Sequence, residues 1–78
     1  MNYRYLMIRE TFVDGEQTRT GYGIAAALDC DGCLTVTESF TDLCSDSTPV
    51  ERLVKYCNEL KLDVIHLSEV VDDFLAEL

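Results

Sequence analysis

The sequence predicts an α+β fold, a three-stranded antiparallel β-meander followed by a C-terminal helical hairpin packed on one face (βββαα, two-layer), and three observations carry that prediction. Two consecutive apolar stripes at helical spacing run from Thr48 to Leu78. Three segments with strand-like alternation precede them, separated by the turn dipeptides Asp14-Gly15 and Asp31-Gly32. The chain has 78 residues, 47% of them hydrophobic, and no apolar run near the ~18 residues of a membrane span, so one small core within a single domain, 1-78, is expected.

The first strand, about 2-13, is apolar on both faces, with Tyr3, Tyr5 and Met7 on one and Leu6, Ile8 and Phe12 on the other. Asp14-Gly15 marks a turn or the start of a short polar loop through Thr20. The second strand, about 21-29, points Tyr22, Ile24, Ala26 and Leu28 one way and Gly23, Ala25 and Ala27 the other. One face is bulky and the other nearly bare. The third strand, about 33-41, can join it in two registers. A two-residue Asp31-Gly32 turn would set Leu28 against Thr35 and Ala26 against Thr37, which wastes the apolar pattern. A three-residue Cys30-Asp31-Gly32 loop with a G1 bulge pairs Leu28 with Leu34, Ala26 with Val36 and Tyr22 with Phe40, and is the register expected. It gathers Tyr22, Ile24, Leu28, Leu34, Val36 and Phe40 on the face that the helices cover.

The first helix, about 49-61, opens on a Thr48-Pro49-Val50-Glu51 capping box, and Val50, Leu53, Val54, Cys57 and Leu60 form its stripe. The second, about 66-77, repeats the spacing at Leu67, Val70, Val71, Phe74, Leu75 and Leu78. His66 is expected in its N-cap region, contributing a hydrogen bond, with Glu69 at N3. No segment remains to cover the opposite sheet face, where Gly23, Ala25 and Ala27 meet one side of the first strand. A homodimer through that face or through the sheet edge is therefore expected.

The net charge of −9 is uneven: residues 1-28 hold three acids and three bases, residues 29-78 twelve acids and three bases. Such a field repels phosphate backbones, so direct nucleic-acid binding is not expected, and a protein partner, where there is one, would be basic. The N-terminal residues lack a signal-peptide h-region, which makes a cytoplasmic location and free thiols the expectation for Cys30, Cys33, Cys44 and Cys57.

Cys30 and Cys33 have the spacing of a zinc knuckle, but Cys44, Cys57 and His66 form no second knuckle. A thiol-enzyme set could be drawn from Cys57, His66 and Asp63, although a cysteine inside an apolar stripe is poorly placed to attack anything. No catalytic residue, metal or cofactor is therefore assigned. Glu69, Asp72, Asp73 and Glu77 share the solvent side of the second helix, and carboxylates in its last turn oppose the helix dipole. With His66 they are the candidate interaction surface.

Tyr22-Gly23-Ile24, Cys57-Asn58, Leu62, and His66-Leu67 followed by Val70-Val71-Asp72-Asp73-Phe74-Leu75 resemble a family of short uncharacterised proteins of Firmicutes, mainly clostridia, defined as a domain of unknown function. The resemblance covers most of the chain and is specific in its C-terminal third. It implies a bacterial, cytoplasmic protein and brings no activity or cofactor. His66, Asp72 and Asp73 belong to the pattern; Cys30 and Cys33 do not. The expected function is a small non-enzymatic protein-interaction or regulatory module with an acidic helical face, against the alternatives of a minimal thiol or hydrolase enzyme using Cys57 and His66, or a zinc-stabilised mini-domain.

Overall fold

The structure, a computed structural model, describes residues 3–78; Asn2, the expected first residue of the leading strand, lies outside them. It is the α+β, βββαα arrangement: β1 (Tyr3–Asp14), β2 (Gln17–Cys30) and β3 (Cys33–Cys44) form one antiparallel sheet in the order β1-β2-β3, followed by α1 (Ser47–Leu60), a single 3-10 turn (Val64–His66) and α2 (Leu67–Ala76).

β1 and β2 pair from Tyr3↔Leu28 to Asp14↔Gln17 without interruption, closed by a two-residue turn in which Gly15 has φ +63°. A positive φ at the first turn residue suits the right-handed strand twist, and glycine adopts it without a Cβ clash. The polar loop expected through Thr20 is instead strand. Its residues extend past the helical layer, so neither face shows an apolar pattern, and the pairing with β1 alone defines it.

The expected β2–β3 register is incorrect. Asp31 (φ 53°) and Gly32 (φ 83°) form a two-residue turn with both central residues left-handed, as a type I′ hairpin needs, and Leu28 faces Thr35. The pattern is rescued further on. Ala27 pairs with Val36 but Ala26 with Glu38, so Thr37 is a one-residue bulge that switches the remaining side chains of β3 to the other parity. Ile24 then faces Phe40, and Tyr22 faces Cys44 rather than Phe40. Between those last two pairs, Thr41, Asp42 and Leu43 lie against Gly23 alone, with Asp42 at φ 55°. Leu34 and Val36 therefore sit on the uncovered face, 45% and 59% exposed, not beneath the helices.

The core lies between the sheet and the helical layer. Tyr5, Ile24 and Ala26 meet Leu53, Cys57, Leu67 and Val71, with Phe40, Leu43, Val54, Leu62 and Phe74 packed around them. The ends of the expected stripes fall outside it: Leu60, Leu75 and Leu78 are exposed. The cap of α1 also differs from the expected Thr48 box. Asp46 is the N-cap, its carboxylate accepting from the Thr48 N–H at 3.1 Å, so the helix starts at Ser47, earlier than the proline suggests. Lys61 ends it in the left-handed conformation, φ 51°.

α1 is tied to the edge strand through its last turn. The Asn58 carboxamide accepts from the Tyr5 N–H at 2.8 Å and donates to the Tyr5 carbonyl at 2.9 Å, taking the place of a neighbouring strand. The Tyr5 hydroxyl crosses the core to donate to the Leu62 carbonyl at 2.5 Å.

Candidate functional site

α2 buries Leu67 and Val71, and that single constraint fixes where every other side chain of the helix points. Successive residues advance about 100° around the axis, so Val70 and Phe74 flank the core side, Asp73 and Glu77 follow toward α1, Glu69 points away from the core, and Asp72 turns about 100° away from Asp73. All four carboxylates are exposed, and they span one arc of the solvent side, with Asp73 and Glu77 at the α1 end of it. Asp73 and Glu77 line a groove of about 360 Å³ between the helices together with Pro49, Arg52, Tyr56 and Phe74. Its floor is apolar: Leu53 is buried and Phe74 half-buried, while Tyr56 is 53% exposed. No basic residue occupies the last turn of α2, so the carboxylates there face the negative end of the helix dipole uncompensated within the helix.

His66 occupies the N-cap position of α2, but its backbone is helical and its side chain makes no capping hydrogen bond, contrary to expectation. Capping falls one turn earlier to Asp63, which accepts from the Ile65 N–H at 3.3 Å. A 3-10 turn runs into the helix there, so the helix N–H groups that an N-cap would satisfy are already approached by the preceding turn. The exposed imidazole lies with Nδ1 3.9 Å from a Glu69 carboxylate oxygen. Such a surface pair contributes little to stability.

The thiol and metal arrangements are not assembled. Cys57 is fully buried in the core, burial pushes its thiol pKa up, and a neutral thiol without solvent access is a poor nucleophile. No hydrogen bond joins it to His66 among the described residues, whose only ionic neighbour given by the geometry is Glu69. Cys30 and Cys33 face each other across the type I′ turn, exposed, while Cys44 is half-buried at the far end of β3 with its Sγ accepting from the Asp46 N–H at 3.4 Å. Among the described residues no group of three His, Cys, Asp or Glu side chains gathers in a way that could hold a metal. All four cysteines are free.

A second polar cluster sits at the far end of the uncovered sheet face. Arg19 donates to both carboxylate oxygens of Asp42, at 2.6 and 3.0 Å, and its guanidinium carbon lies 4.6 Å from the centroid of the Phe12 ring. The bidentate pair holds the Asp42 carboxyl below the usual carboxylate range and the guanidinium above its own. It steadies the left-handed bend of β3 over Gly21, where an added Cβ would strike the Asp42 carboxylate.

Arg52 and Tyr56 were not among the residues singled out from the sequence, and Pro49 was read only as part of a helix start. They occupy successive turns of α1 beside its buried stripe, and the exposed aromatic at Tyr56 is the signal that points to them.

A small two-layer βββαα domain, with its polar features on the helical layer and on one end of the sheet, is the class of protein that these observations define. The chain belongs to the Family of unknown function (DUF6514), whose sequence model matches residues 1–77. No curated protein and no solved structure matches it. No helix among the described residues is long and apolar enough to cross a membrane.

Proposed function

We propose that the protein is a small non-enzymatic interaction module whose helical hairpin takes up a basic protein segment carrying an apolar anchor. The observation that supports this most directly is that Asp73 and Glu77 border the same groove as Tyr56, Leu53 and Phe74. An apolar floor beside carboxylates fits a side chain inserted between the helices with cationic neighbours along its rim. Cations there would also oppose the partial negative charge at the C-terminus of α2, which the helix itself leaves unmatched. Residues 47-78 hold seven acids and three bases, so the helical layer supplies a field that steers a basic partner toward it. The reading includes a bacterial cytoplasmic setting, as the Firmicutes resemblance implies.

The competing thiol-enzyme reading requires Cys57 within reach of His66 and of solvent, and the burial of Cys57 speaks against it. Affinity capture from the encoding organism separates the readings. The wild type is compared with Asp73→Lys/Glu77→Lys, and with Asp72→Lys as a charge control directed away from the groove. Loss of a captured partner in the double variant but not in Asp72→Lys is the expected result. An identical set of captured proteins for all three removes the acidic groove as the binding surface.

A further inference from the structure

We propose that the uncovered face of the sheet is a self-association surface, on which two copies stack about a two-fold axis crossing β1 at the level of Met7. The uninterrupted β1–β2 register fixes which side chains of β1 leave the core: Tyr5 is buried under the helices, so Arg4, Leu6, Ile8 and Glu10 project from the opposite face. Read in that order the stripe is basic, apolar, apolar, acidic, and it is symmetric about Met7. A two-fold axis lying between the sheets and perpendicular to the strands sets Leu6 against Ile8 of the second copy and Arg4 against its Glu10, and does so twice. Arg4 and Glu10 are exposed, while Leu6 and Ile8 are half-buried by their own neighbours.

The second copy is the occupant that the charges favour. The chain carries a net charge of −9, so two copies repel unless their acidic helical layers point apart. Stacking through the uncovered face directs both helical layers outward. On that face the Arg19 and Asp42 charges are already paired with each other and Arg4 and Glu10 compensate one another, while Asp14 and Asp29 share the face only at the ends of β1 and β2. The small residues of β2 do not themselves form the contact. Ala25 and Ala27 are 2% and 0% exposed, closed over by Leu6, Arg4 and Val36 on the adjoining strands, so the apolar rim is what meets the partner.

The sheet edges are poor alternatives. Asn58 occupies the main-chain groups of Tyr5 on β1, and β3 is broken by the Thr37 bulge and the bend at Asp42. The face is about 33 Å long and about 15 Å wide, so a stack would bury roughly 1,000 Å² in total, the lower limit for a specific interface. A reversible dimer follows rather than an obligate one.

Sedimentation equilibrium on the full chain tests this from about 10 μM to about 1 mM, the range in which an interface of this size should associate. The wild type is expected to pass from monomer to dimer. Arg4→Glu and Glu10→Arg, each of which opposes like charges twice across the axis, should weaken the dimer by about tenfold or more, and Arg4→Glu/Glu10→Arg should recover it to within about threefold. Both positions are exposed, and circular dichroism of each variant is the check that its fold is kept. A wild type that stays monomeric throughout, single variants that dimerise as the wild type does, or a double variant that fails to recover would each overturn the proposal. These variants leave the α1–α2 groove untouched, so the result is independent of partner capture by the helical layer.

Discussion

The two hairpins of this sheet share β2 yet obey different rules. β1 and β2 align over twelve consecutive pairs without a slip, whereas β2 and β3 change register twice within the length of β3. The difference comes from what each strand has to satisfy. β1 meets the core through alternate residues along its first half, and its two-residue turn delivers that alternation in phase. β3 is in conflict with itself: the Asp31-Gly32 turn imposes one parity, and the need to place Phe40 over the core imposes the other. A single extra residue at Thr37 reconciles them, and the second irregularity at Asp42 turns the chain toward Asp46 and α1. The same irregularities roughen an edge strand that would otherwise offer a long template for pairing, while on the other edge Asn58 takes the main-chain groups of Tyr5.

The sharpest way to break the irregular hairpin is at Gly23. A Cβ there would come 2.1 Å from the Phe40 carbonyl oxygen and 2.9 Å from the Thr41 Cα, both main-chain atoms of the bent segment of β3. Neither can swing aside as a side chain could, so Gly23→Ala should force β3 away from β2 and cost about 3 kcal/mol, the upper range for overpacking. Urea denaturation measures it. Gly21→Ala is the control, because its new Cβ meets the Asp42 carboxylate and the Phe12 ring edge, which are side-chain atoms. Equal losses at the two positions would mean that β3 yields as readily as a side chain, and the close approach would lose its meaning.

The regular hairpin depends on a different kind of tie, through Tyr5. Burial, with the Cys57 thiol and the Asp63 carboxylate adding to it, pushes the Tyr5 phenol from 10.0 up to about 12. Below pH 10 the phenol is neutral in folded and unfolded chains alike, and its contribution is fully present. Between 10 and about 12 the unfolded chain releases a proton that the folded one keeps, so stability falls as pH rises through that window. Cys57, also raised by burial, acts in the same direction. Tyr5→Phe should cost about 1 kcal/mol at neutral pH, from the hydrogen bond to Leu62, and should flatten the alkaline decline without abolishing it. An alkaline slope as steep in the variant as in the wild type would place the responsible proton elsewhere.

What could be read from the sequence follows the same division. The helices and the apolar face of β2 were legible because burial writes a period of 3.6 or of 2 into the residues concerned, at Val50, Leu53, Cys57, Leu67 and Val71 and at Ile24 and Ala26. The start of β2 was not, since Gln17 to Thr20 lie beyond the helices and bear no such imprint. Leu34 and Val36 misled for a more specific reason. Their side chains alternate with the right period, and the parity of a strand containing a bulge cannot be counted from either end. Thr48-Pro49-Val50-Glu51 has the composition of a capping box, yet Asp46 begins the helix first, and Pro49 is tolerated within the first turn, whose N–H groups lack intrahelical partners anyway. At the candidate surface, Glu69, Asp72, Asp73 and Glu77 were read as sharing the solvent side of α2, but which of them border the groove, Asp73 and Glu77, depends on which side of α2 meets α1, and that is a property of packing rather than of spacing.

The smallest expected effect is also the most discriminating between the two hairpins. Removing a residue from a regular strand reverses the facing of everything beyond it, which at a buried face is ruinous. Deleting Thr37 should do the opposite of harm on a large scale: with the Asp31-Gly32 turn kept, Ala26 still meets Glu38 and Ile24 still meets Phe40, because the lost residue is the one that the ladder leaves unpaired. What disappears is the Thr37 hydroxyl donating to the Ala26 carbonyl at 3.3 Å and the local twist of the bulge. The loss should stay below about 1 kcal/mol, within the range of one modest hydrogen bond. Deleting Ile8 from the uninterrupted β1 is the comparison, since it moves Tyr5 or Phe12 to the wrong face whichever side of the gap re-registers. If both deletions unfold the protein, Thr37 serves the strand through its twist rather than as a spare position, and the bulge would be a structural requirement instead of a correction of parity.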